Sequence, residues 1–166
     1  MAELTPKERL LPSLLDRLTD HMPGTKEELR NRRALSMKQF RKSVLRDLEW
    51  LMNTVNLESA VNFEEFPELR NSVINYGMPC LSGSTVNNAD RHQITKLIRQ
   101  SIQAFEPRIL KDTVKVTLLE DEELENRAAI AFQIEGTLWG NPLPEALFLR
   151  TELDLDLGEV KITDSW

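Results

Sequence analysis

The sequence predicts an α+β protein in which N-terminal helices pack on one face of a C-terminal antiparallel sheet. Through the first two thirds of the 166-residue chain, apolar residues recur every three or four positions, the spacing of one helix face. Beyond about residue 112 they alternate with polar residues, as in half-buried strands. Short stretches join these runs, so consecutive strands can pair in chain order while the helices cover one side of the sheet.

Residues 1–33 are predicted to form a leading segment followed by a flexible linker. A capping box with proline at its first helical position, residues 5–8, opens a short helix or turn that Pro12 interrupts. A second helical stretch follows over residues 13–19. Residues 21–33 mix charges with proline and glycine and lack apolar periodicity, which is typical of a connector. The helical stretch carries Leu14, Leu15 and Leu18 on one face.

Residues 34–166 are expected to form a single domain that begins with its clearest helix. A capping box at residues 36–39 opens this helix, and its apolar positions are three or four residues apart. These positions are Met37, Phe40, Val44, Leu48 and Leu51.

Two further helices are predicted before the sheet. A short one covers residues 68–76 and is ended by Gly77 in a left-handed conformation, with residues 78–84 as a loop. The other spans about residues 88–105, and Pro107 prevents its continuation. Its apolar face consists of Ile94, Leu97, Ile98, Ile102 and Phe105.

The strands are predicted from alternation with a period of two. Two strands precede a C-terminal hairpin, which turns at Gly158 into residues 160–162. The alternating apolar positions are Val114, Val116 and Leu118, then Ala128, Ile130, Phe132 and Ile134, then Leu147, Leu149, Leu153 and Leu155.

Composition narrows the class of protein. Forty per cent of the residues are hydrophobic and 29% are charged, which favours a globular fold over a disordered one. No apolar run approaches the roughly 20 residues that cross a bilayer, and the first residues lack a signal-peptide core, so a cytoplasmic protein is expected. One cysteine and two histidines do not predict a metal site.

The net charge of −6 is unevenly distributed. Residues 1–111 contain 17 Lys and Arg against 14 Asp and Glu, whereas residues 112–166 contain 4 against 13. Residues 26–46 include eight basic side chains, which a nucleic acid could bind; a solvated linker and helix face is the favoured interpretation, and no nucleic-acid partner is expected.

The sequence predicts no catalytic residues and no cofactor. It contains no glycine-rich phosphate loop, and no nucleophile, base and acid can be assigned from spacing. The acidic run at residues 120–125 could supply paired carboxylates or calcium ligands, but its place between two strands favours a solvated hairpin loop.

Glu106, Pro107 and Arg108 form the most distinctive local motif. A glutamate at a helix C-terminus opposes the helix dipole, so local preference does not account for it. Residues two apart in an extended stretch point the same way, which allows Glu106 and Arg108 to pair. Either the pair locks the helix to the following strand or it forms a docking site, and the residues alone do not distinguish these two interpretations.

Several segments of the chain are similar to one known family and occur in its order. They are LPSLLDRL at 11–18, SVLRDLEWLMN at 43–53, SVINYG at 72–77, FEPR at 105–108, FQIEG at 132–136 and FLRTELDL at 148–155.

The sequence with these segments resembles the TssE family of type VI secretion baseplate subunits, relatives of the wedge proteins of contractile phage tails. The resemblance implies a wedge-like domain over residues 34–166 in which Glu106, Pro107 and Arg108 contact the sheath and help to start its polymerisation. It implies a wedge with TssF and TssG, near TssK, the TssB and TssC sheath subunits, the Hcp tube and the VgrG spike. It also implies that the leading segment docks on the wedge through Leu11, Leu14, Leu15 and Leu18.

Cys80 departs from the family pattern, where an acidic residue is expected, and a half-buried apolar thiol is predicted there. Two other functions remain open within the same fold. One is a cytosolic anti-adaptor-like regulator that binds a response regulator. The other is a lysozyme-like enzyme that cleaves peptidoglycan, which requires two carboxylates about 5 to 10 Å apart in a cleft.

Overall fold

The computed structural model describes residues 12–19, 35–80, 88–119, 129–140 and 144–164, and it confirms the α+β fold class. The predicted turn at residues 5–8, the linker at 21–33 and the acidic run at 120–125 lie outside the described residues. The helices are α1 (Leu14–Leu18), α2 (Met37–Met52) and α3 (Asn88–Phe105), and the strands are β1 (Lys115–Leu119), β2 (Ala129–Leu138), β3 (Glu145–Asp154) and β4 (Val160–Asp164). Short 3-10 helices cover Leu57–Ser59, Pro67–Asn71, Val73–Asn75 and Lys111–Thr113.

The sheet is an antiparallel meander in the order β1-β2-β3-β4. The alternation predicted from the sequence sets its two faces, because successive strand residues point to opposite sides. One face is buried against the helices and carries Ile130, Phe132, Ile134 and Leu138 from β2 with Leu147, Leu149, Thr151 and Leu153 from β3.

Helices α2 and α3 cover this face side by side. Helix α2 contacts β4, helix α3 contacts β1, and the two helices contact each other. The buried residues of α2 include Phe40, Val44, Leu48 and Leu51, and α3 contributes Ile94, Ile98 and Ile102. Both sets are the faces predicted from the apolar periodicity.

Side chains at both ends of α2 bind the C-terminal hairpin. Near its start, Arg41 donates to both carboxylate oxygens of Asp164 at 2.8 and 2.6 Å and to Glu145 at 3.1 Å. At its end, the Asn53 amide accepts from the Val160 N–H at 2.8 Å and donates to the Val160 carbonyl at 2.9 Å. Helix α2 is therefore fixed relative to β4, and Arg41 is engaged in ion pairs rather than available to a nucleic acid.

The predicted helix over residues 68–76 is wrong in type. The structure has two 3-10 helices there, separated by Ser72 in an extended conformation. The Ser72 hydroxyl accepts from the Ile74 N–H, and the Asn75 side chain bonds backbone groups elsewhere, so side chains replace the α-helical pattern.

Gly77 follows with φ +126°, which is positive as predicted but outside the left-handed helical region. A Cβ at this position would lie 2.4 Å from the carbonyl oxygen of Thr54, and the Met78 N–H donates to that same oxygen at 2.7 Å. Gly77 therefore permits a close crossing of two backbone segments.

Candidate functional site

The Glu-Pro-Arg motif forms a tight turn directly after α3. Pro107 has no N–H to continue the helix, and the Ile109 N–H donates to the Glu106 carbonyl at 3.2 Å. The Glu106 carboxylate accepts from the Arg108 N–H at 3.1 Å and from its Nε at 2.7 Å. Arg108 Nη2 donates to the second carboxylate oxygen. The two side chains thus form the predicted pair, with both carboxylate oxygens engaged.

The pair points into the protein towards α2. Glu106 is only 3% exposed, and Arg108 Nη2 also donates to Asp47 Oδ2 at 2.7 Å. Arg108 Nη1 lies 3.4 Å from the Ser43 hydroxyl, one helical turn before Asp47. We refer to Asp47, Glu106 and Arg108 as the charge cluster. Burial alone would lower the pKa of Arg108, but the bonds and charges of Glu106 and then Asp47 outweigh it and raise that pKa.

Tyr76 packs beside the charge cluster. Its ring meets Phe105 edge to face at a centroid distance of 5.6 Å, and its hydroxyl donates to the Asp47 carbonyl at 3.2 Å. Burial raises the pKa of the Tyr76 phenol, the charges of Asp47 and Glu106 raise it further, and Arg108 opposes them. The SVINYG segment is thereby joined to the FEPR segment.

The residues after the motif bind the end of β2. The Trp139 N–H donates to the Arg108 carbonyl at 2.7 Å, and the Leu110 N–H donates to the Thr137 carbonyl at 2.9 Å. Between these bonds, Ile109 is buried against Gly136, where a Cβ would come within 2.9 Å of its γ2 methyl group. The charge cluster and this short pairing together fix residues 106–110 between α3 and the sheet.

This geometry supports the interpretation of the motif as a lock between helix and strand. The Glu106 carboxylate is buried and bound at both oxygens, so it is closed to a substrate. The exposed positions of the turn are Pro107 and Leu110. Docking of a partner at this motif remains a prediction, and direct contacts would come from those surface positions and the accessible part of Arg108.

Helix α1 exposes its leucines and is attached to the body by charge. Leu14 and Leu18 are 70% and 74% exposed, and Leu15 is also exposed. Asp16 on the same helix accepts from Arg46 Nη1 at 2.6 Å. This bond lowers the pKa of Asp16, whose partial burial opposes the shift. Leu11 lies outside the described residues, so three of the four predicted docking leucines are placed, all facing solvent.

Arg46 connects α1 to the charge cluster. It donates from Nε to Asp47 Oδ1 at 2.8 Å, while Arg108 binds the other oxygen of that carboxylate. The Arg46 guanidinium also lies over the Trp50 ring, 5.0 Å from its centroid. The two predicted partner sites are therefore joined by a continuous chain of ion pairs.

Sequence reasoning gave no role to Asp47, Arg46 or Tyr76, although all three lie in the segments that carry the resemblance. The spacing of Ser43 and Asp47, four residues apart beside the apolar stripe of α2, was the available signal. That signal shows a shared helix face but not which distant side chain the face meets.

Cys80 is exposed, so the prediction of a half-buried thiol is wrong: Met78 occupies the core position, and the chain leaves the core after it. Within the described ranges, no group of three or more His, Cys, Asp and Glu residues could hold a metal ion. The helices seen there are all too short or too polar to span a bilayer.

Comparison with known proteins gives one family. The family model described as baseplate wedge protein gp25 matches residues 38–143, more than half of the chain. The match covers α2 from its second residue, the charge cluster and the first two strands, and it excludes α1, β3 and β4. No curated protein matches the chain.

Proposed function

Because the chain belongs to the baseplate wedge protein gp25 family, whose members are structural components, we propose that it acts as a TssE-type subunit of a type VI secretion baseplate. In this role it joins the wedge complex and helps to initiate polymerisation of the contractile sheath. Its wedge partners would be TssF and TssG, with TssK, the Hcp tube and the VgrG spike nearby. The sheath partners would be TssB and TssC, and the assembly would sit in the bacterial cytoplasm at the membrane.

The observation that carries this proposal is the fixed turn at residues 106–110 beside an edge strand. The turn leads through Lys111–Thr113 into β1, which is an edge of the sheet. Within the described residues, the backbone of β1 bonds only to β2. An edge strand presents unpaired backbone groups to an incoming strand, so a sheath strand could extend the sheet at β1.

The charge cluster would serve this role by setting geometry. Strand addition requires an edge whose position does not shift when the partner arrives, because ordering a mobile edge would cost part of the binding free energy. The buried Glu106 and Arg108 pair, the bond to Asp47 and the pairing with β2 hold the start of β1 relative to both helices. In this proposal the protein templates the sheath by presenting a fixed strand edge, and no catalysis is required.

The proposal is tested by co-purification with TssF, TssG, TssB and TssC. Alanine at Glu106 or Arg108 would disturb a buried ion pair, so surface variants of the same turn are more informative. Pro107→Ala and Leu110→Ser should retain TssF and TssG binding and reduce sheath assembly, because their side chains are exposed on the turn. Leu157→Ser, an exposed substitution in the turn between β3 and β4, is the matched control and should change neither.

Failure of the unmodified protein to bind TssF, TssG or the sheath would refute the baseplate role. The same preparation would then be tested against a response regulator, the partner that an anti-adaptor-like protein would bind. Thermal unfolding of each variant, measured in parallel, separates a lost contact from a lost fold.

A further inference from the structure

The segment that connects α2 to α3 exposes six large apolar side chains. Isolated apolar side chains are ordinary on protein surfaces, but several in one short segment indicate an interaction surface. We refer to residues 55–76 as the connector surface. Its exposed apolar residues are Val55, Leu57, Val61, Phe66, Val73 and Ile74.

Val73 and Ile74 are exposed next to the buried Asn75. They are 84% and 61% exposed, whereas the adjacent Asn75 is buried. Asn75 Oδ1 accepts from the Glu58 N–H at 2.9 Å, and its Nδ2 donates to the Arg70 carbonyl at 3.1 Å. Asn75 thus anchors the chain to the backbone of Glu58 and of Arg70. The branched side chains of Val73 and Ile74 are therefore carried on a fixed backbone.

The backbone of the connector surface is already hydrogen-bonded within itself. The Ser59, Leu69, Ser72 and Asn75 N–H groups each donate to the carbonyl three residues earlier, in 3-10 geometry. These N–H groups are therefore unavailable to an added strand, in contrast to the outer edge of β1. Recognition at this surface must therefore use side chains.

The charged side chains of the surface are mostly acidic. Glu64, Glu65 and Glu68 are exposed in the same segment, on either side of Phe66 in the sequence, and the one cation of the segment, Arg70, binds Glu58 at 2.8 Å. Like charges would face each other if two copies paired through this surface. Anionic lipids and nucleic acids would be repelled for the same reason.

We propose that the connector surface is a docking site for an amphipathic helix of a partner protein, one that carries Lys or Arg beside its apolar stripe. The stripe would cover Val73 and Ile74, and the basic side chains would pair with the exposed glutamates. A helix satisfies its own backbone bonds, which fits a surface that recognises side chains. The proposal uses neither Pro107 nor Leu110 and does not depend on the sheath-binding role.

The experiment titrates the full chain with a fluorescent helical peptide of about 18 residues made of Leu and Lys, and with a matched Leu and Glu peptide. The Leu and Lys peptide should bind saturably, and raising the salt from about 0.1 M to about 0.5 M should weaken it. The Val73→Ser, Ile74→Ser double variant should lose about tenfold in affinity. A Glu64→Lys, Glu65→Lys variant should lose affinity for this peptide and gain it for the Leu and Glu peptide.

The matched control is Leu157→Ser, which removes an apolar side chain that is 69% exposed in the turn between β3 and β4. It should bind the Leu and Lys peptide as the unmodified chain does. Equal loss in this control, or no loss in the Val73 and Ile74 variant, would overturn the proposal. Sedimentation that showed a dimer dissolved by the Val73 and Ile74 changes would overturn it in favour of a second copy. Thermal unfolding should be unchanged in every variant, because all the altered side chains are exposed.

Discussion

Arg108→Met tests the charge cluster directly. Methionine retains a flexible apolar chain of similar reach, but the guanidinium that binds both Glu106 oxygens and Asp47 is lost. The Glu106 carboxylate stays buried, and its remaining donor among the described residues is the N–H of residue 108. Breaking a buried ion pair from one side costs about 3–5 kcal/mol.

The expected fall in melting temperature is about 10 °C, because 1 kcal/mol corresponds to roughly 2–4 °C for a domain of this size. The Glu106→Gln, Arg108→Met double variant should recover about 2 kcal/mol, since a neutral amide is cheaper to bury than an unpaired carboxylate. The coupling between the two sites is then read from a double-mutant cycle.

Urea and thermal unfolding followed by circular dichroism at pH 7 measure these differences. Arg70→Met is the matched control, because its guanidinium pairs with Glu58 at the surface and should be worth no more than about 1 kcal/mol. If Arg108→Met cost as little as this control, or if the losses at Glu106 and Arg108 simply added, the cluster would not be the lock described here.

Three further predictions concern the surroundings of the cluster. Gly77→Ala should destabilise the protein by about 3 kcal/mol in urea unfolding, because it adds a Cβ at positive φ against a backbone carbonyl, and a loss below about 1 kcal/mol would contradict the close crossing. Tyr76→Phe should cost about 1 kcal/mol at pH 7 by removing the bond to the Asp47 carbonyl. The pKa of the Tyr76 phenol is higher in the folded protein than its ordinary value of 10.0, so the neutral phenol stabilises the fold below pH 10 and this stability is lost as the pH rises through the folded-state pKa. Urea unfolding at pH 9 to 11 should show this loss in the unmodified protein and not in Tyr76→Phe. Asp16→Asn should speed hydrogen exchange in α1 without changing the global unfolding free energy by more than about 1 kcal/mol, because the bond to Arg46 is partly exposed, and unchanged exchange would show that other contacts hold α1.

The helices and strands could be predicted wherever apolar periodicity was long enough. Helix α3 spans Asn88–Phe105 as predicted, because its periodic face is followed by Pro107. The helix type of residues 68–76 was mispredicted, since a nine-residue stretch carries too few periods. Bonds between the Ser72 and Asn75 side chains and the backbone decide its conformation. Gly77 was identified as special, but its close neighbour, Thr54, is 23 positions away in the sequence and no local pattern indicates it.

In the candidate site, too, the local contact could be predicted from the sequence and the long-range contact could not. The pairing of Glu106 with Arg108 was predictable because the residues are two apart and separated by a proline. Its burial and its bond to Asp47 were not, since Asp47 lies 61 positions earlier and meets Arg108 only through the packing of α2 on α3. Whether the motif was a lock or a docking site could not be decided without knowing which way the pair points.

The Asp47 carboxylate lies between the two predicted partner sites, α1 and the β1 edge. One of its oxygens binds Arg46, which binds α1, and the other binds Arg108, which fixes the turn leading into β1. A partner that removes α1 takes Asp16 from Arg46 and changes the competition for Asp47. Any resulting change in affinity at β1 must be reciprocal, so occupancy of the β1 edge would alter the release of α1 by the same free energy. Any such coupling would pass through a single side chain, the carboxylate of Asp47.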